Sequence, residues 1–226
     1  MQILQQKALV LKSKYANSLQ RNKKSSFVSF FSRSLSRSLA LLFSCFNVMA
    51  EPFKAKQNFS SEVQDGINNQ INCELSASYL YLAMSNYCRR TSVAMPGAGA
   101  FFLKQSYEER EHAQKLIDYM IARGGKVDLQ PLERPMRQKW KNMLQLFHHS
   151  LDLERANNYA LLELHKVASK QGDPDFTNFL EEFYLRNQVK EIHDMAVKCI
   201  ELERIGDNGT GIHIYDNELA KAAKED

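Results

Sequence analysis

Apolar residues recur every three or four positions through four long stretches of this chain, which is the spacing of one buried helical face. The first stretch follows a serine that can cap a helix, Ser60 or Ser61, and continues to about Cys88. Its apolar positions are Val63, Ile67, Ile71, Leu75 and Leu82. The pattern therefore predicts a first long helix over most of 60–88.

The second stretch begins at Pro96, because proline has no amide hydrogen to lose at the first position of a helix. It continues through Phe102, Leu116 and Tyr119 to Arg123. We predict that it ends at 124–125, since both residues are glycine and glycine readily adopts the left-handed conformation that closes a helix.

Two further helices are predicted after a long connection. The apolar positions of the third are Trp140, Leu144, Phe147, Leu151 and Leu161, with His165 further along the same helix. Asp173 and Pro174 then form a natural cap and first residue of the fourth helix. The apolar positions of the fourth are Leu185, Ile192, Met195, Cys199 and Leu202. Glycines between 206 and 211 end this helix, and 212–224 is expected to form a short fifth helix.

The connection over 126–137 contains Pro131 and Pro135 and does not have a helical pattern. Connections of this length are uncommon within compact domains unless they have to cross one. No alternation typical of strands interrupts the helices, so the expected fold is all-α. We predict a four-helix bundle with one long crossover, which makes helices two and three parallel, and a short C-terminal fifth helix.

Charge is distributed unevenly along the chain, and this separates a head from a body. Residues 1–50 contain eight Lys or Arg and no Asp or Glu, whereas 51–226 contain 22 basic and 26 acidic residues. We therefore expect a basic, Ser-rich extension or targeting segment over 1–50 and one domain over 51–226. The mildly acidic body does not favour nucleic-acid binding. No run of about 18 apolar residues occurs, so no membrane span is expected.

The head admits three interpretations. Its composition is that of a mitochondrial transit peptide, and 39–50 also resembles the apolar region of a secretory signal. In the third interpretation translation starts at Met49 and the first 48 residues are a weakly structured extension. The four scattered cysteines are expected to be reduced thiols. The expected location is therefore cytoplasmic, or mitochondrial or secreted if the head is a cleaved targeting segment.

Every long helix has a polar group on its apolar face. Glu109 and His112 are three residues apart, which places both on one face of the second helix. A buried carboxylate is costly unless a cation compensates it. Polar side chains occupy equivalent positions on the other helices: Glu74 and Tyr81 on the first, Glu154 on the third and Gln188 on the fourth.

Carboxylate oxygen and imidazole nitrogen together suit iron, and helix bundles hold iron pairs with Glu and Glu-x-x-His. We expect Glu109 to bridge two ions, with Glu74 and His112 on the first ion. Glu154 is expected on the second ion. In that arrangement Gln188 orients a water or oxygen species and Tyr81 hydrogen-bonds a ligand.

Each of these residues also has a plainer interpretation. A single Glu-x-x-His is usually a solvated helix face, a buried tyrosine is usually packing, and Glu108 and Glu111 are surface charges. The hypothesis of a two-iron site depends on the fact that polar residues interrupt the apolar face of all four helices. The fourth helix has Gln188-Val-Lys-Glu191 and no second Glu-x-x-His, which favours an asymmetric site from which oxidised iron is passed on.

The segments 72–81, 105–113, 161–166 and 172–190 resemble ferritin, specifically its heavy-chain-like, ferroxidase-competent subunits. The resemblance covers about 57–216. It implies a first iron site of Glu74, Glu109 and His112 and a second of Glu109, Glu154 and Gln188, with Tyr81 nearby. It further implies oxidation of Fe(II) by dioxygen and storage of ferric mineral in a shell of 24 subunits, of one kind or mixed.

The resemblance also identifies residues that depart from the family pattern. His165 and Glu181 match an iron channel at the three-fold axes, but Asn178 stands where the family has Asp. Glu108 and Glu111 match residues that nucleate mineral, while Gln114 replaces an acid. Two departures lie elsewhere: Glu191 replaces a small residue beside the second iron, and 210–223 is the poorest match. Alternative functions are a cage subunit without ferroxidase activity and a secreted iron carrier.

Overall fold

A computed structural model describes residues 55–225, and every regular element within that range is helical. The elements are α1 (Ser61–Cys88), α2 (Pro96–Ala122), α3 (Met143–Lys170), α4 (Pro174–Leu180), a π-turn (Glu181–Leu185), α5 (Arg186–Ile205) and α6 (Gly209–Glu225). The expectations for 1–50 concern residues outside the described range. No helix within 55–225 has the length and apolar character needed to span a bilayer.

The residues expected to start and stop helices do so. Ser60 caps α1, and its hydroxyl accepts a hydrogen bond from the amide of Val63 at 3.2 Å. Pro96 is the first residue of α2, and Gly124 has a φ of 71° just beyond its end. The carboxylate of Asp173 accepts from the amide of Phe176 at 3.1 Å, which caps α4. These local sequence signals are therefore confirmed.

The prediction that Trp140 belongs to the third helix is wrong. Asn142 caps this helix by accepting from the amide of Gln145 at 3.0 Å, so α3 begins at Met143. Trp140 lies in the preceding connection but is still buried, and its indole NH donates to Nδ1 of His149 at 3.1 Å. An apolar residue just before a cap can therefore join the core without being helical.

Helix contacts establish the directions of the bundle. Ser78 bonds with Ser106 and Ser85 with Gly99, so α2 runs antiparallel to α1. Similarly, Met84 contacts Ser150 and Gln70 contacts Asn157, so α3 also runs antiparallel to α1. Helices α2 and α3 are therefore parallel. This is the arrangement predicted from the long connection between them.

The fourth helical rod consists of α4, the π-turn and α5. Its buried residues Phe176, Leu180, Tyr184 and Gln188 are spaced four apart. On an α-helix, a residue four positions further along lies about 40° further around the helix axis. Without a wider turn, the line of buried residues would therefore rotate away from the core. The π-turn keeps it inward. Leu185, which was expected on the apolar face, is consequently only partly buried, and Tyr184 takes its place.

One expected apolar position of the first helix is also wrong. The side chain of Leu82 is 37% exposed. It follows directly after Tyr81, which is fully buried and defines the inward face at that turn. Leu82 lies about 100° around the helix from Tyr81, on the side that faces away from the core at this turn.

Two apolar cores lie on either side of a polar layer. One core contains Tyr81, Phe102, Phe147 and Met195, and the other contains Ile71, Ala113, Leu161 and Tyr184. On each rod the buried polar residue falls between a residue of one core and a residue of the other. The polar residues in this layer are Glu74, Glu109, Glu154 and Gln188, joined by Gln70 and Asn157.

The last helix is attached to the start of α2. The two carboxylate oxygens of Asp216 accept from the amides of Gly97 and Ala98 at 3.1 and 2.8 Å. Met95 supplies no side-chain cap of its own, so Asp216 takes over that role. A β-carbon at Gly97 would lie 1.7 Å from the backbone oxygen of Asp216, and only glycine permits this approach.

Candidate metal centre

Three predicted iron ligands converge in the polar layer. Glu74 comes from α1, while Glu109 and His112 come from consecutive turns of α2. Each offers a ligand atom, and these atoms lie within 4.8 Å of one another. No other group of three or more His, Cys, Asp or Glu residues within 55–225 meets that geometry. Nδ1 of His112 is 3.3 Å from an oxygen of Glu109.

Glu154 contacts Gln188, which was expected with it at a second iron position, and Tyr81, which was expected nearby. Glu154 is buried, and one of its oxygens accepts a hydrogen bond from the hydroxyl group of Tyr81. Its other oxygen accepts from the side-chain amide of Gln188 at 2.8 Å. The charge of Glu154 contributes to the raised pKa of Glu109, so the two halves of the layer interact electrostatically. The structure thus places the six residues that were predicted for the iron centre in or beside the polar layer.

Burial makes the carboxyl groups of this layer weaker acids. Desolvation and then the charge of Glu109 raise the pKa of Glu74 to about 8. Desolvation also raises the pKa of Glu109 and of Glu154, with repulsion between carboxylates adding to it. The pKa of the Tyr81 hydroxyl lies well above its ordinary value, mainly because the group is buried. A divalent cation would offset this repulsion once the protons leave.

A cavity of about 460 Å³ lies beside His112, among α2, α5 and α6. Its walls include His112, Glu108, Lys190, Glu191 and Asp194. One oxygen of Glu191 is buried there without a hydrogen-bond partner. Desolvation raises the pKa of this carboxyl group to about 7. Glu191 is therefore a fourth carboxyl group, after Glu74, Glu109 and Glu154, whose burial the described side chains compensate only in part.

Sequence reasoning did not identify three residues that contact the centre. Gln70 and Asn157 hydrogen-bond Glu74, and the hydroxyl of Tyr184 donates to the backbone oxygen of His112 at 2.7 Å. Gln70 lies four residues before Glu74 and Asn157 three residues after Glu154. Helical spacing places each of the first two on the same face as a predicted ligand, but it does not show which side chain on the other helix each one contacts.

The residues expected at the iron channel and at the mineral surface lie away from this centre. Nε2 of His165 is 2.8 Å from an oxygen of Glu181, and Asn178 is exposed one turn before Glu181. Glu108 borders the cavity, whereas Glu111 is exposed. Their expected roles depend on neighbouring subunits or on mineral, and they stay predictions.

Comparison with known proteins agrees with the fold. The family described as Ferritin, with a ferritin-like domain, matches residues 64–205. Soma ferritin of Lymnaea stagnalis is 43% identical over 170 residues, which cover 75% of this chain and 97% of that protein. This chain therefore belongs to the ferritin family, whose members store iron in multi-subunit shells.

Proposed function

We propose that this chain is a heavy-chain-like ferritin subunit that oxidises Fe(II) with dioxygen at a two-iron site within its own bundle. The convergence of Glu74, Glu109 and His112 within 4.8 Å is the observation that carries the proposal. A cage subunit without ferroxidase activity has no need to keep two buried carboxylates and an imidazole together, because their burial is costly.

In the proposed site Glu109 is shared by both irons. Glu74 and His112 complete the first position, and Glu154 with Gln188 forms the second. Tyr81 donates to Glu154 and so holds that carboxylate in place. Each Fe(II) loses one electron, and a pair supplies the two electrons that reduce dioxygen, with two protons, to hydrogen peroxide. Carboxylates favour the Fe(III) that results because it is the harder cation.

The cavity beside α5 is proposed as the route by which ferric iron leaves this site. Glu191 places a buried oxygen without a hydrogen-bond partner on the α5 side of this cavity, and Glu108 lines it from α2. From there iron would reach the nucleating residues Glu108 and Glu111. Glu191→Ala should keep the first round of oxidation but slow later rounds. If the variant oxidises Fe(II) as fast as the parent over many rounds, Glu191 has no part in the exit route.

The channel at the three-fold axes is proposed to use His165, Asn178 and Glu181, in a shell of 24 subunits of one or mixed kind. The likeness to a ferritin over 97% of its length supports the shell. Analytical ultracentrifugation of the purified chain measures the number of subunits. A stable dimer without larger species would contradict this part of the proposal.

Stopped-flow measurement of Fe(II) oxidation tests the central claim. The parent should oxidise two Fe(II) per subunit rapidly, and a Glu109→Ala, His112→Ala variant should lose that phase. Asp118→Asn is the matched control, because this acid lies on the same helix but is exposed. Equal rates for the parent and the double variant would refute the site assignment.

A further inference from the structure

Three buried side chains form a closed hydrogen-bonded ring around one carboxylate of the polar layer. The amide nitrogen of Gln70 donates to one oxygen of Glu74 at 2.8 Å and to the side-chain oxygen of Asn157 at 2.7 Å. The amide nitrogen of Asn157 donates to the other oxygen of Glu74 at 3.1 Å. Glu74, Gln70 and Asn157 are 0%, 3% and 7% exposed.

The ring fixes the orientation of every group in it. The side-chain oxygen of Asn157 faces Gln70, so its nitrogen has to face Glu74. Both protons of the Gln70 amide are used within the ring. Glu74 therefore accepts one hydrogen bond on each oxygen and cannot rotate without breaking two of the three contacts.

The ring leaves room for a cation. A carboxylate has about four lone-pair sites, and two amide hydrogen bonds occupy two of them. Gln70 and Asn157 lie on α1 and α3, whereas Glu109 and His112 belong to α2. Glu74 is thus held by one side chain of its own helix and one of α3, while it retains free lone pairs for a cation on the side of α2.

We propose that Gln70 and Asn157 are positioning residues, which hold Glu74 in the orientation that binds the first iron and thereby set the affinity of that position alone. The inference rests on the proposed two-iron site. Hydrogen bonds to a metal-ligating group typically change metal affinity by roughly 10–100-fold, because the ligand otherwise samples unproductive orientations. Neither amide has a hydrogen bond with Glu154 or Gln188, so the second position should keep its affinity.

Titration with Co(II) under argon, followed by visible absorption, measures the two positions separately. Asn157→Leu removes the amide at similar volume and should weaken the first position roughly 10–100-fold while leaving the second unchanged. Asn158→Leu is the matched control, since it makes the same change at the next residue of α3, which is only partly buried. A general loss of structure would weaken both positions and lower the melting temperature.

A second variant tests whether the ring acts as a unit. Gln70→Met should weaken the first position by a similar factor, and the double variant should lose no more than the larger single loss. If Asn157→Leu does not fold, Gln70→Met alone must still weaken only the first position. If the losses of affinity of the two single variants multiply in the double variant, the ring does not act as a unit.

The outcomes separate this inference from the proposed function. A parent that binds fewer than two Co(II) per subunit would refute the two-iron site itself. A different outcome is a parent that binds two Co(II) per subunit while Asn157→Leu and Gln70→Met both bind the first Co(II) within twofold of the parent's affinity. That result would overturn the positioning role and leave the two-iron site standing.

Discussion

Metal binding at the first position should depend strongly on pH between 6 and 8. The perturbation is protonation of Glu74, whose pKa of about 8 is raised by burial and by Glu109. A metal ion binds the deprotonated carboxylate, so the proton competes with it. Because the pKa is raised, binding should be strong above pH 8 and lost progressively as the pH falls below that value.

The size of the effect follows from that pKa. At pH 8 half of the Glu74 groups are protonated, and at pH 6 about 99% are. The factor by which proton competition weakens metal binding therefore rises from about 2 to about 101. The affinity for Co(II) should therefore fall about 50-fold, which is about 2 kcal/mol. Burial also raises the pKa of Glu109, which is proposed to share the first position, and its protonation should add to this loss.

Calorimetric titration in buffers of different ionisation enthalpy measures both affinity and proton release. At pH 7 about 0.9 proton should leave Glu74 when the first Co(II) binds, since its pKa is one unit higher. Asp118→Asn should leave the pH dependence unchanged, because this acid is exposed. An affinity that changes less than fivefold between pH 6 and 8 would refute the argument from burial.

Three further results are expected. Asn178→Asp should speed iron uptake about tenfold at low ionic strength by adding a negative charge from each subunit to the channel, and equal rates would contradict this. Gly97→Ala should destabilise the chain by about 1–3 kcal/mol in urea unfolding, because its β-carbon clashes with α6. Gly209→Ala, which has open space, is its control. Tyr184→Phe should cost about 1 kcal/mol by the same measurement, through loss of its hydrogen bond to the backbone of α2.

Local signals made the helices predictable. Ser60 and Asp173 are capping residues whose side chains bond the amides that open a helix, and Gly124 adopts the backbone conformation that ends one. The four polar interruptions were predictable because an apolar face has a fixed period. Glu74 and Glu109 are conspicuous against that period even without knowledge of the fold.

The contacts that sequence reasoning missed lie between elements. Asn157 looks like an ordinary polar residue until α1 places Gln70 against it. Asp216 looks like a surface acid in the last helix, although it caps a helix that begins about 120 residues earlier. Such pairings depend on three-dimensional neighbours, which the spacing of residues along a single helix does not reveal.

The π-turn of the fourth rod gives the segment 181–185 an unequal tolerance for changes in length. A π-turn holds about one residue more than an α-helical turn, so removing one residue from 181–185 would convert it to ordinary α-helix and leave the residues after it close to their present orientation. An added residue that the turn could not absorb would rotate everything after it by about 100°, so that Gln188 would turn away from Glu154. The segment should therefore tolerate the loss of one residue better than the gain of one.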